Sequence, residues 1–168
     1  MAVKSIQIEA AHNTDIERET KIVSQLAHRH IIQGYGVEQD GNYVYIITDY
    51  AEGGNLMGAT PKLDWDSKRR IVTEVARGLA YLHNQDILHR DIKGDNILLT
   101  KHNEVKLCDF GLAKIIASAT RSSTYTQKGT PKWMAPELKV VKPEYSTKSD
   151  IYTLDVVMED MVNGDAPL

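Results

Sequence analysis

The sequence predicts an α+β fold in which strands come first and helices follow. Three observations carry this. The opening MAVKSIQI alternates loosely between apolar and polar residues, a strand pattern. IIQGYGVEQDGNYVYIITDY reads as a β-hairpin turning at Asp40-Gly41. LDWDSKRRIVTEVARGLAYLHNQ repeats apolar residues at helical spacing, with Ile71, Val72, Val75, Leu79 and Leu82 on one side.

The remaining elements fall between these. TDIERETKIVSQLAHR predicts an amphipathic helix: Thr14 and Glu17 form a capping-box pattern, and Ile22, Val23 and Leu26 recur on one face. Glu19 precedes Ile22 and Val23 by three and four residues, so it projects toward the apolar stripe. An acid on a buried face needs a partner, because an unpaired carboxylate is costly to desolvate. AEGGNL interrupts regular structure, and residues 52–60 read as a linker between a strand-rich part (1–51) and a helix-rich part (61–168). Asp64 is placed to cap the long helix. Short strands are expected at ILH, NILL and VKLC. Gly111 to Thr130, rich in Ser, Thr and Lys and without periodicity, reads as a long loop. A last helix is expected over Lys148 to Val162, stopped by Asn163-Gly164.

Composition narrows the function classes. The 168 residues are 42% hydrophobic, ordinary for a globular protein, and the formal charge of −3 gives no argument for a nucleic-acid or anionic-membrane partner; none is expected. One cysteine, Cys108, rules out an internal disulfide and points to a reducing compartment, cytoplasmic or nuclear. No run approaches the roughly 20 apolar residues of a membrane span. The start lacks the apolar core of a signal peptide.

The chemistry concentrates in ILHRDIKGDNILL, where six polar or charged residues lie between apolar runs. Asp91 in such a loop is a candidate base. Lys93, two residues on, can neutralise anionic charge in the same cleft. Asn96, five residues after Asp91, offers a neutral oxygen suited to a hard cation. Thirteen residues later Asp109-Phe110-Gly111 supplies a carboxylate beside a glycine, again suited to magnesium. Phosphoryl transfer needs these parts: neutralised phosphates, a held metal and an oriented hydroxyl.

These motifs resemble the catalytic domain of eukaryotic protein kinases. HRDIKGDN matches the catalytic loop, DFG the magnesium motif, MAPE the end of the activation segment, and MAVK the strand carrying the nucleotide lysine. The resemblance runs from about residue 1 to the end, with the motifs in family order. It implies a two-lobed fold and ATP with Mg2+ as cofactors. Lys4 would hold the α- and β-phosphates and pair with Glu19. Asp91 would accept the proton of the substrate hydroxyl, and Lys93 would contact the γ-phosphate. Asn96 and Asp109 would hold magnesium. Asp49 to Ala51 would offer backbone hydrogen bonds to adenine, with Thr48 guarding the pocket behind. Ala2 and Leu98 would sandwich the ring, and His89 and Phe110 would be core links between the lobes.

Lys93 and GTPKWMAPE, with Thr130 set to touch Asp91 and Lys93, resemble the serine/threonine type. The nearest branches are the MAP-kinase-kinase-kinase and tyrosine-kinase-like ones. A protein substrate is implied, and Arg90 before Asp91 implies an upstream activating kinase. Thr126, three residues before Gly129, is the expected phosphate acceptor that would pair with Arg90.

The chain also departs from the family pattern. No glycine-rich loop precedes Lys4, and the resemblance stops near the helix containing Asp150, so the expectation is a partial kinase domain. Glu137 is then expected to lack its arginine partner, and the flank of the last helix to be bare. Gly34 stands where a large apolar residue is usual, and Asp155 where a glycine is usual. A weak or inactive nucleotide-binding or interaction module is the alternative. A small-molecule phosphotransferase fits less well, because such enzymes lack a segment like GTPKWMAPE. Plainer readings stand beside the sharp ones: Lys4 as a surface lysine, Glu19 as a solvated acid, and Asp91, Asn96 and Asp109 as turn formers. His28 and His30 read as packing residues rather than metal ligands, and Cys108 as a small buried residue.

Overall fold

The computed structural model describes residues 1–8, 13–115, 130–140 and 144–163. Strands β1 (Ala2–Gln7), β2 (Gly34–Asp40) and β3 (Tyr43–Thr48) form an antiparallel sheet in the order β1-β3-β2. The expected hairpin joins β2 to β3, with Gly41 at φ +54°, a left-handed conformation that glycine adopts without cost. Helix α1 (Asn13–Gln25) begins one residue ahead of the expected cap, Thr14. Its stripe of Ile16, Ile22 and Val23, continued by Leu26 beyond its end, is buried, and Glu19 lies within that buried face.

Gly34 explains how closely α1 approaches β2. A Cβ at this position would lie 2.4 Å from Val23 Cγ1 and 2.9 Å from the Val23 carbonyl oxygen. The large apolar residue usual here in the resembling family has no room.

A second antiparallel sheet contains β4 (Gly54–Asn55), β6 (Ile97–Leu99) and β7 (Val105–Leu107) in the order β4-β6-β7. The expected linker 52–60 is therefore not irregular. It contributes β4 and the short helix α2 (Leu56–Ala59), because the Asn55 side chain accepts from the Gly58 N–H and caps that helix. Helix α3 (Trp65–Asn84) starts as expected, with the Asp64 carboxylate accepting from the Ser67 N–H at 2.8 Å. Ile71, Val75, Leu79 and Leu82 are almost fully buried, while Val72 packs at the edge of the same core.

Strand β5 (Ile87–Leu88) pairs with β8 (Lys114–Ile115), so the segment read as a long loop begins with a short strand. Helix α4 (Thr147–Asn163) matches the expected last helix to within one residue at each end.

The two sheets are stitched together behind α1. Leu107 N–H donates to His30 O and Ile32 N–H to Leu107 O, both at 2.9 Å. One apolar cluster runs through this junction from Ile22 and Ile46 to Leu79, Leu107 and Phe110. His30 is buried there against Val105 and Glu74, and His28 stacks on Tyr81 with ring centroids 4.8 Å apart. Both are packing residues. Glu74, unremarked in the sequence, accepts the Val105 N–H at 2.9 Å and ties α3 to β7.

On α4, Asp155 is exposed. Ile151, Tyr152, Met158 and Val162 are exposed too. Glu137 is not unpartnered, however: its carboxylate accepts the Ser149 hydroxyl at 3.0 Å.

Candidate nucleotide and phosphoryl-transfer site

A cleft of about 430 Å³ opens between the two sheets. Ala2, Lys4, Ile46 and Thr48 line it from the first sheet, Glu19 and Val23 from α1, Asp49 to Ala51 from the connecting segment, and Asn96, Leu98, Cys108 and Asp109 from the second half. Residues 4 and 109, far apart in sequence, meet here.

Lys4 stands between two carboxylates. Its Nζ lies 2.6 Å from Glu19 Oε1 and 3.0 Å from Asp109 Oδ1. Glu19 is buried by helix periodicity, while Lys4 remains half-exposed toward the cleft. Burial alone would lower the Lys4 pKa, but the hydrogen bonds and charges of Glu19 and Asp109 outweigh it and raise the value. Burial raises the Glu19 pKa, against the pull of Lys4. Lys4 is thus a firmly charged ammonium held at the cleft wall.

Asp91 is held by three side chains. Its Oδ1 accepts from the Thr130 hydroxyl at 2.7 Å. Its Oδ2 accepts from Asn96 Nδ2 at 2.9 Å and lies 2.8 Å from Lys93 Nζ. Lys93 Nζ also donates to Thr130 Oγ1 at 3.0 Å. Desolvation would raise the Asp91 pKa, yet these hydrogen bonds and the Lys93 charge keep it below the usual carboxylate value. The group stays ionised and oriented, as a hydroxyl-accepting carboxylate requires.

Asn96 donates through one nitrogen to both Asp91 O, at 2.8 Å, and Asp91 Oδ2. Its carbonyl oxygen is the atom left for another partner. Asp109 is half-exposed on the same cleft. One carboxylate and one amide oxygen suit a hard cation that takes its other ligands from phosphates and water. Among the described residues no three or more His, Cys, Asp or Glu side chains form a metal cage.

Backbone geometry supports the same region. Arg90 sits at φ +70° and Asp109 at φ +63°, conformations that cost energy for residues with a Cβ and persist only where surroundings enforce them. The enforcing group at Arg90 was not evident in the sequence. It is Asp150, in the first turn of α4, 2% exposed. Its Oδ2 accepts from the His89 N–H at 3.0 Å and its Oδ1 from the Arg90 N–H at 2.9 Å, with His83 Nε2 2.8 Å away. The available signal was an acid in a first helical turn with apolar neighbours one turn on, but nothing local names its target. His89 and Phe110 are fully buried with ring centroids 5.3 Å apart. The Arg90 guanidinium lies 4.1 Å from the centre of the Tyr145 ring. Thr126 lies outside the described residues.

Comparison with known proteins now decides the family. A model of the protein kinase domain matches residues 1–168. This chain belongs to the protein kinase domain family. The kinase domain is 33% identical over 155 residues to RasGEF domain-containing serine/threonine-protein kinase X of Dictyostelium discoideum, an alignment covering 90% of this chain and 16% of that protein. It is 36% identical to mitogen-activated protein kinase kinase kinase 2 of Arabidopsis thaliana, covering 94% of this chain and 25% of the relative. It is 38% identical to serine/threonine-protein kinase sid1 of Schizosaccharomyces pombe, covering 99% of this chain and 36% of the relative. The kinase domain therefore spans about a sixth to a third of the length of these relatives. Among the described residues no helix is long and apolar enough to cross a membrane.

Proposed function

We propose that this kinase domain transfers the γ-phosphate of ATP to serine or threonine hydroxyls of proteins, with Mg2+ as cofactor. The observation that carries the reading is that Lys4, Asp109 and Asn96 line one cleft and that Asn96 donates to Asp91 behind it. Lys4 is clamped by Glu19 and Asp109, and Asp91, next to Asn96, is clamped by Thr130 and Lys93. Lys4 binds and neutralises phosphate oxygens. Asp91 orients the attacking hydroxyl and takes its proton. Lys93 spans Asp91 and Thr130, which fits it to meet the transferring phosphoryl group beside an acceptor. Asn96 and Asp109 would hold magnesium, which would neutralise charge on the phosphates. Ala2 and Leu98 would hold the base against the backbone of residues 49–51, with Thr48 behind.

Regulation belongs to the same reading. Phosphate added to Thr126 by an upstream kinase pairs with Arg90. Names among the relatives, including the mitogen-activated kinase kinase kinase, favour the serine/threonine class.

The test is transfer of radiolabelled phosphate from ATP to a generic basic protein, with and without magnesium, with Asp91→Asn as control. Magnesium-dependent transfer that disappears in the variant is expected. ATP-dependent thermal stabilisation without transfer would replace this reading with a nucleotide-binding module.

A further inference from the structure

The connecting segment between the two sheets carries a side-chain arrangement that the site described above does not use. The Asp49 carboxylate is partly buried and has two partners. The Tyr35 hydroxyl, from β2 of the first sheet, donates to Asp49 Oδ1 at 2.5 Å. The Lys106 ammonium, from β7 of the second sheet, lies 3.5 Å from Asp49 Oδ2. The cleft lining includes Asp49 but neither Tyr35 nor Lys106. Both residues thus reach residue 49 from behind, one from each half of the molecule.

Residue 49 is also pinned through its backbone. Its N–H donates to Gln33 O at 2.9 Å, and its carbonyl accepts the Thr48 hydroxyl at 3.1 Å. Two residues on, Ala51 O accepts from the Gly54 N–H, and Gly53 N–H donates to Leu99 O. Lys106 is the cross-strand neighbour of Leu98, which lines the cleft. The carboxylate therefore couples the base-facing backbone to the strand beneath the base.

We infer that Tyr35 and Lys106 are positioning residues for the nucleotide, acting through the Asp49 carboxylate to preset the backbone of residues 49–51 against the base. This rests on the nucleotide reading given above. A preset segment loses less freedom on binding, so the effect belongs in base affinity and not in phosphate affinity. A surface ion pair of no consequence would move neither, and a general loosening of the fold would move both.

The experiment measures two affinities on the whole chain by displacement of fluorescent methylanthraniloyl-ATP in the presence of magnesium. The competitors are ATP and inorganic tripolyphosphate. Tyr35→Phe removes one exposed oxygen and should leave the fold intact; Lys106→Met removes the cation. Each is expected to weaken ATP binding about threefold to fivefold and to leave tripolyphosphate unchanged, and Lys106→Arg restores ATP binding. Tyr35→Phe in an Asp49→Ala background has no further effect. Unchanged ATP affinity in both single variants, or equal weakening of both competitors, overturns the inference while leaving the cleft assignment standing. A wild-type chain that binds neither competitor removes the cleft assignment and this inference with it.

Discussion

The Asp150 carboxylate accepts a 2.9 Å hydrogen bond from the backbone N–H of Arg90, a residue at φ +70°. A side chain on α4 thereby holds the strained residue next to Asp91. Asp150→Ala leaves the buried His89 N–H and the part-buried Arg90 N–H without their acceptor and lets Arg90 relax. A stability loss of about 3 kcal/mol is expected in urea unfolding, with phosphate transfer lost. Asp150→Asn, which keeps one acceptor oxygen, should fall between. A stable, fully active Asp150→Ala protein would show that the loop holds its shape without α4.

Lys4→Met should reduce phosphate transfer about a hundredfold or more, the scale on which removing one charge-stabilising donor acts. The measurement is kcat at saturating nucleotide. Full activity in this variant would remove Lys4 from the site.

Gly34 tests the packing of α1 against β2. Gly34→Ala is expected to destabilise by about 1–3 kcal/mol, because the new Cβ meets Val23 at 2.4 Å. Pairing it with Val23→Ala should cost less than the sum of the two single changes. Strict additivity in urea unfolding would mean that α1 shifts freely instead.

Stability should fall as pH drops below about 6.5. His89 is saturated as a neutral ring: Nε2–H donates to Cys108 O at 3.1 Å and Nδ1 accepts from the Asp91 N–H at 3.3 Å. Desolvation lowers its pKa despite nearby Asp150, and desolvation likewise lowers those of His30 and His28. A histidine with a lowered folded pKa takes its proton first in the unfolded chain. Its contribution is therefore complete above the unfolded value and is lost as pH falls toward the folded one. Glu19, with a raised pKa, works in the opposite sense, its contribution being present below its unfolded value and lost as pH rises. Urea midpoints at pH 7.5 and 5.5 give the check: a flat or rising midpoint on acidification contradicts the buried neutral histidines.

Cys108 should be nearly inert. Burial pushes its thiol up to about 12, and Sγ lies 3.5 Å from Asn96 O. The native protein should react with iodoacetamide at pH 7.4 at least about a hundredfold more slowly than the urea-unfolded chain, since only the thiolate attacks. Comparable rates would mean that the cleft wall opens readily.

Helix periodicity made Glu19 legible, because it put an acid among Ile16, Ile22 and Val23 where only a cation could keep it. Asp64 was legible for the same local reason, as a capping oxygen at a fixed offset from Ser67. The spacing in HRDIKGDN announced Asp91, Lys93 and Asn96 together. Asp150, Glu74 and the Tyr35–Asp49–Lys106 contact were not legible. Each acts across elements 14 to 67 residues apart, and local pattern carries no information about which distant backbone a carboxylate will meet. Strand β4 was hidden by Gly53 and Gly54, one before it and one in it, since its pairing depends on the neighbour Leu99 and not on its own propensity.

The double donation from Asn96 to Asp91 settles which way round the amide sits. Turned over, it would aim lone pairs at a carboxylate. An aspartate at 96 would differ by a single atom and yet set two anions face to face, with Asp91 robbed of one of its anchors. The amide here is thus a directional connector, hydrogen on one end and oxygen on the other, and its near-isosteric acid cannot stand in for it.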